Sequence, residues 1–167
     1  MWYDSAKPCA TVIVEDENQR VLLVKRGIQP FLGLWNLPGG FLEADEHPGI
    51  GAVREVYEET GFAVELIELV GIYIGHWDAD GDVTRAHNSL NVAYRAKIVG
   101  GEWRSNEEST EMAFFHADEL PPSSTIAYAN HRRTLDDWSF GRTAVLLPGS
   151  AGLAITEEVM GAKRRGD

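Results

Sequence analysis

Gly40-Phe41-Leu42-Glu43-Ala44-Asp45-Glu46-His47-Pro48-Gly49-Ile50-Gly51-Ala52-Val53-Arg54-Glu55-Val56-Tyr57-Glu58-Glu59-Thr60-Gly61-Phe62 is the stretch on which the reading of this chain turns. Pro48 suits a first helical turn and Gly61 the residue just past a last one, which predicts a helix over 48–60. Gly49 and Gly51 weaken its first turn by about 1 kcal/mol each relative to alanine. With Glu55 set at zero on a wheel of 100° per residue, Glu59 falls at about 40° and Glu58 at about 300°. Ile50, Val53, Val56 and Tyr57 fall between about 100° and 220° on the same wheel. Three glutamates therefore share one face, as i, i+3 and i+4 neighbours with Cβ atoms about 5–6 Å apart. Like charges at that spacing destabilise a helix, and this one carries no lysine to offset them. A divalent cation removes the penalty, and carboxylate oxygens are what a hard cation such as Mg²⁺ or Mn²⁺ prefers.

The same stretch resembles the signature of the Nudix hydrolases: Gly, five residues, Glu, seven residues, then Arg-Glu-aliphatic-x-Glu-Glu-x-Gly-aliphatic. Here it reads Gly40, Glu46, Arg54-Glu55-Val56, Glu58-Glu59 and Gly61-Phe62. All seven fixed positions match, and only Phe62 departs, being aromatic. Asp45 stands where a glycine often precedes the first glutamate. Trp35-Asn36-Leu37-Pro38-Gly39-Gly40 is similar to the usual lead-in. The likeness covers residues 8 to about 138.

The resemblance implies an α/β fold, an α/β/α sandwich with a mixed sheet and the motif as a loop–helix–loop. It divides the chain into a domain over 1–138 and a C-terminal appendage over 139–167, read as a short packed helix. It implies Glu55, Glu58 and Glu59 as metal ligands, with the Gly40 carbonyl as a backbone ligand. Glu46 either joins them or pairs with Arg54, which orients Glu58 from four residues before it. Glu58, Glu59 and Arg54 are the catalytic set, completed by Glu108 as general base. Metal-bound carboxylates are poor proton acceptors, so a separate base is wanted. Glu108 lies in an acidic segment, Asn106 to Thr110, read as mobile and able to close over substrate; Glu107 and Glu111 are the fallbacks. Arg26, Gly39 and Trp35 are the substrate contacts, the glycines allowing the backbone to approach a phosphate closely.

The implied reaction is metal-dependent hydrolysis of a phosphoanhydride in a nucleoside diphosphate linked to another moiety. Arg26-Gly27-Ile28-Gln29-Pro30 up to Phe41 resembles the ADP-ribose and dinucleotide branch, so ADP-ribose or NADH is favoured. The proline expected about 15 residues past the motif in ADP-ribose enzymes is absent; Trp77 and Asp78 stand there. The Ser-Gln-Pro-Trp-Pro-Phe-Pro motif of NADH enzymes is missing, as is the tyrosine near position 79 of the diadenosine polyphosphate enzymes. Hydrolysis of a nucleoside triphosphate and a non-catalytic, nucleotide-sensing module therefore stay open. The intact glutamates and the lack of room for a DNA-binding domain weigh against the sensor.

Outward from the motif, the composition is that of a globular protein. The chain has 167 residues, 44% hydrophobic and 25% charged, with a net charge of −11. Phe41 to Glu68 holds eight acids and one base, Arg54. So acidic a surface argues against nucleic acid and anionic lipid as partners. A small nucleotide is the expected partner, and a homodimer is compatible. One cysteine, Cys9, excludes an internal disulfide and is read as a buried, inert thiol. No apolar run reaches 18 residues and the first nine lack a signal-peptide core, so the expected location is cytoplasmic.

Alternation and turn residues predict strands at 10–14 and 21–24 joined as a hairpin, at 34–37, one or two over 64–75, over 90–98 and at 112–115, with a second helix over 126–138. Asp78, Asp80 and Asp82 are read as an acidic turn, without the glutamate a calcium loop needs. His116 and His131 are read as structural or surface residues, and His76 and His87 as flanking a loop near substrate. Phe31, Tyr73 and Trp77 are read as core or loop anchors.

Overall fold

Cys9 to Val14 is a continuous run of buried residues, which is what a strand covered on both faces requires. In the computed structural model, which describes residues 5–77 and 87–143, this run is the centre of a mixed sheet. The elements follow in the order β1 (Lys7–Glu15), β2 (Val21–Arg26), β3 (Trp35–Asn36), β4 (Gly39–Phe41), α1 (Pro48–Thr60), β5 (Phe62–Trp77), β6 (His87–Gly101), β7 (Ser109–Phe115) and α2 (Ala129–Ser139). The main path of the sheet runs β3-β2-β1-β6-β5. β4 pairs with the start of β1, and β7 pairs with β2. β1 and β6 are parallel, with Ala10 beside Val92 and Val14 beside Ala96; the other named pairs are antiparallel.

One helix lies on each face. Ala10, Val12 and Val14 of β1 point to α1 and pack with Ala52 and Val56. Ile13 points the other way and packs with Leu37, Tyr73 and Leu135 of α2. Successive β1 side chains thus feed two cores, the α/β/α arrangement expected from the sequence.

The boundaries of α1 are those read from the sequence. Gly61 ends it with φ of 80°, donating its N–H to the Tyr57 carbonyl in the left-handed conformation glycine adopts without strain. The start is capped by His47, whose Nδ1 accepts the Gly49 N–H at 3.1 Å. Asp45 holds φ of 66°, so it takes the backbone shape of the glycine it replaces, a region Asp tolerates better than most residues.

The orientation of α1 differs from the wheel. Gly51, Ala52, Val56, Glu59 and Thr60 are the buried residues, while Ile50 is 65% and Tyr57 50% exposed. The helix is turned so that its glutamate edge, not the middle of its apolar arc, faces the sheet. Small side chains permit this: a Cβ on Gly51 would stand 2.5 Å from Leu42. Tyr57 instead lies under the Arg104 guanidinium at 5.3 Å.

β5 is one strand over the region read as one or two, and the second helix begins at Ala129, after a single helical turn at Ser123–Thr125. The acidic turn at 78–82 and the appendage beyond 143 lie outside the described residues.

Candidate active site

Arg54 organises the site. Its Nε and Nη2 donate to the two oxygens of Glu46, each at 2.8 Å, a bidentate pair. Its Nη1 donates to Glu55 at 2.8 Å and to Glu58 at 3.0 Å, and Nη2 also reaches the Phe41 carbonyl at 3.2 Å. All five guanidinium hydrogens are thereby used. Of the two roles read for Glu46, the structure shows the pairing with Arg54. These hydrogen bonds hold the Glu46 carboxyl down to about 2 and keep Arg54 firmly protonated.

Glu59 has no such partner. It is 9% exposed, and its Oε2 accepts the Gly39 N–H at 3.2 Å. Burial pushes its carboxyl up to about 8, with Glu55 and Glu108 pushing the same way against the Gly39 N–H and Arg26. Burial raises Glu55 as well, against the pull of Arg54. The glycines before the helix are required by close approach. A Cβ on Gly40 would sit 2.7 Å from the Glu55 carboxylate carbon, and one on Gly39, where φ is 147°, would sit 2.2 Å from the Ala10 carbonyl.

Glu55, Glu58 and Glu59 line a cavity of about 530 Å³ together with Gly39, Gly40, Glu108 and Arg26. A smaller hollow of about 360 Å³ joins the three glutamates to Asn106, Glu107 and Glu108. Among the described residues, Arg26 is the one arginine or lysine in the cavity wall. Its Nε donates to the Pro30 carbonyl and its guanidinium lies 5.3 Å from the Tyr128 ring, and among the described residues Nη1 and Nη2 have no hydrogen-bond partner.

Trp35 is not brought to the cavity. Its ring meets Phe115 edge-on at 5.6 Å and carries Lys25 over its face at 4.8 Å, among the side chains packed on the α2 core. Of the fallbacks, Glu107 lines the smaller hollow, whereas Glu111 pairs with Lys25 on the surface at 2.6 Å.

Three residues here were missed or underread in the sequence. Asn106 donates to the carbonyls of Glu58 and Glu59, both at 3.1 Å, and accepts from the N–H groups of Glu108 and Ser109. The segment read as mobile is thus pinned to the end of α1, and the Glu108 carbonyl is held by the Gly27 N–H at 2.8 Å. Asn36 and His131 also line the cavity. His131 is buried, and burial lowers its imidazole to about 3. A polar residue in a short strand and a lone histidine carry no local signal of this; their roles follow from pairing across the fold.

A family comparison matches residues 6–138 to the NUDIX domain. The chain belongs to the Nudix family. A MutT-like protein of Streptomyces ambofaciens is 38% identical over 117 residues, covering 70% of this chain and 68% of that one. An ADP-ribose pyrophosphatase of Methanocaldococcus jannaschii is 33% identical over 126 residues, covering 75% and 69%. Among solved structures, a NUDIX hydrolase from Nitrosomonas europaea superposes with a TM-score of 0.68 at 32% identity, over 87% of this chain and 79% of that one. This chain is therefore a Nudix hydrolase, built for phosphoanhydride hydrolysis.

Nudix hydrolases generally use divalent cations such as Mg²⁺ or Mn²⁺. Among the described residues no three carboxylates, thiols or imidazoles stand grouped as ready ligands, and Arg54 holds oxygens of Glu55 and Glu58. The donor chemistry still suits a hard cation: all oxygen, with a buried Glu59 whose charge one N–H alone partners.

Proposed function

We propose that this Nudix hydrolase splits the diphosphate of a nucleoside diphosphate linked to a second moiety, with ADP-ribose the favoured substrate. One observation carries the reading: four carboxylates and one arginine with free Nη groups line a single cavity of about 530 Å³, within the range that takes a drug-sized or nucleotide-sized ligand. The ADP-ribose pyrophosphatase relative supports the choice of substrate.

Glu55, Glu58, Glu59 and the Gly40 carbonyl would hold Mg²⁺ or Mn²⁺. When bound, the cation supplies positive charge against the diphosphate oxygens and lowers the pKa of a water. Arg54 keeps Glu55 and Glu58 in place while Glu46 fixes Arg54 itself. Arg26 offers its Nη groups to a phosphate oxygen. Glu108, held by Asn106 and facing the glutamates, accepts a proton from the attacking water as the new P–O bond forms and the anhydride P–O bond breaks. AMP and ribose 5-phosphate leave.

Phosphorus NMR of ADP-ribose incubated with enzyme and Mg²⁺ tests this. The expected result is conversion to the two monophosphates, abolished by excess EDTA. Inert ADP-ribose with cleavage of nucleoside triphosphates would replace the substrate, and full activity in EDTA would remove the metal from the reading.

A further inference from the structure

The last four carbonyls of a helix have no partner within it, and at the end of α1 each finds one outside. The Tyr57 carbonyl accepts the Gly61 N–H at 2.8 Å, and the Thr60 carbonyl accepts the Arg104 N–H at 2.9 Å. The two between them, of Glu58 and Glu59, both accept from Asn106 Nδ2 at 3.1 Å. Asn106 thus grips the backbone of two glutamates that line the cavity.

The other end of the same amide is also in use. Asn106 Oδ1 accepts the N–H of Glu108 at 2.9 Å and that of Ser109 at 2.8 Å. An asparagine amide has two donor hydrogens and two acceptor positions, and here all four are engaged. Capping the helix alone would need only the nitrogen. On its far side Glu108 is tied again: its carbonyl accepts the Gly27 N–H at 2.8 Å, and a Cβ on Gly27 would clash with the Glu107 carbonyl. The backbone that carries Glu108 is therefore fixed between the end of α1 and the residue that follows β2.

We propose that Asn106 is a positioning residue: one planar amide sets where Glu108 stands relative to Glu58 and Glu59, and it acts on the reaction only through Glu108, a role that rests on Glu108 being the proton acceptor proposed above. A base must lie within hydrogen-bond reach of the water it deprotonates, and a misplacement of about 1 Å can cost a hundredfold in rate. Glu108 shares both hollows with the three glutamates, so its place depends on the two segments that Asn106 joins.

A double-mutant cycle on the full chain tests this, run with Mg²⁺ on ADP-ribose, or on ATP where ADP-ribose is not cleaved. Asn106→Ser keeps a short acceptor for the loop, but one hydroxyl cannot also hold two helix carbonyls; Asn106→Ala keeps neither. Asn106→Ser is expected to lower kcat about tenfold with KM within about twofold of the parent, and Asn106→Ala at least as far. Glu108→Gln is expected to lower kcat about a hundredfold, and either change at 106 to add no more than about twofold to that loss. Losses that multiply in the double variants make Asn106 a helix cap only and overturn the proposal while leaving Glu108 as the base. Full kcat in Glu108→Gln removes the base, and with it both the proposal and the reading it rests on. Hydrogen exchange needs neither turnover nor a variant: in the unaltered protein the Glu108 and Ser109 amides are expected to exchange at least about tenfold more slowly than in an unstructured peptide. Exchange at the peptide rate overturns the clamp.

Discussion

Two parts of the cavity lining are built on opposite electrostatic terms. At the α1 end, Glu55, Glu58, Glu59 and Glu108 crowd together, and one of them, Glu59, is buried with a single N–H for company. At the β3 end, Asn36 and His131 are buried, uncharged and held by backbone bonds, with one oxygen left over. The first end stores unfavourable charge that a cation and a phosphate chain can relieve. The second is fixed by hydrogen bonds within the fold and carries no charge. Crowded charge suits chemistry, and a rigid neutral wall suits recognition.

The largest expected effect comes from removing charge at the first end. Glu58→Gln or Glu59→Gln should lower kcat by about a hundredfold or more, the usual scale for loss of one electrostatic group. The fold should persist, checked by circular dichroism and melting. A variant that fails to fold in the absence of metal would make the glutamates structural.

Arg54 comes next, because it binds that end together. Arg54→Gln breaks the fork to Glu46 and frees Glu55 and Glu58. A loss of about 2 kcal/mol in urea unfolding is expected, since charged, half-buried hydrogen bonds are lost while their acceptors remain. An unchanged midpoint would mean that the network only decorates the surface.

The titration of Glu59 gives a smaller effect with a definite sign. Its folded pKa of about 8 exceeds its ordinary value of 4.5, so the metal-free folded state holds the proton more tightly than the unfolded chain. That contribution is complete below about pH 4.5 and is lost as pH rises through 8. The melting temperature of metal-free Glu59→Gln should therefore exceed that of the parent by a margin that widens from pH 5 to pH 8. His131, lowered to about 3, acts in the opposite sense, removing stability as pH falls from 6.5, and cancels in this comparison because both proteins carry it. A margin that does not change with pH would place Glu59 in a wetter setting than its burial indicates.

Trp35 should give the smallest effect. It packs on Phe115 and under Lys25, outside both ends. Trp35→Phe should leave KM within twofold of the parent and shift stability by about 1 kcal/mol. A large rise in KM would return Trp35 to the substrate contacts.

What the sequence disclosed divides in the same way. The α1 end was legible because its information is local: Pro48, the glutamate spacing and Gly61 lie within one helix, and both helix bounds follow from them. The rotation of that helix was not, because it depends on how closely Gly51 and Ala52 approach Leu42 and β1, which no wheel contains. The β3 end was illegible for a related reason. The bond from Leu37 to His131 spans 94 residues, and the hold of Asn106 on Glu58 spans 48. Tertiary pairing, not residue type, turned an ordinary asparagine and a lone histidine into a wall. Trp35, read as a substrate contact from its place beside the motif, faces the α2 core because neighbours in a strand point to opposite sides, and Asn36 took the cavity side.

The division of labour between the glutamates and the rest of the cavity lining is tested most directly by steady-state kinetics of Glu58→Gln and Arg26→Gln on ADP-ribose with saturating Mg²⁺. The account predicts that Glu58→Gln loses kcat by about a hundredfold with KM near that of the parent, whereas Arg26→Gln raises KM by about tenfold with a smaller loss of kcat. If Arg26→Gln lost kcat alone as Glu58→Gln does, or Glu58→Gln changed KM alone, the separation of chemistry from recognition would be contradicted.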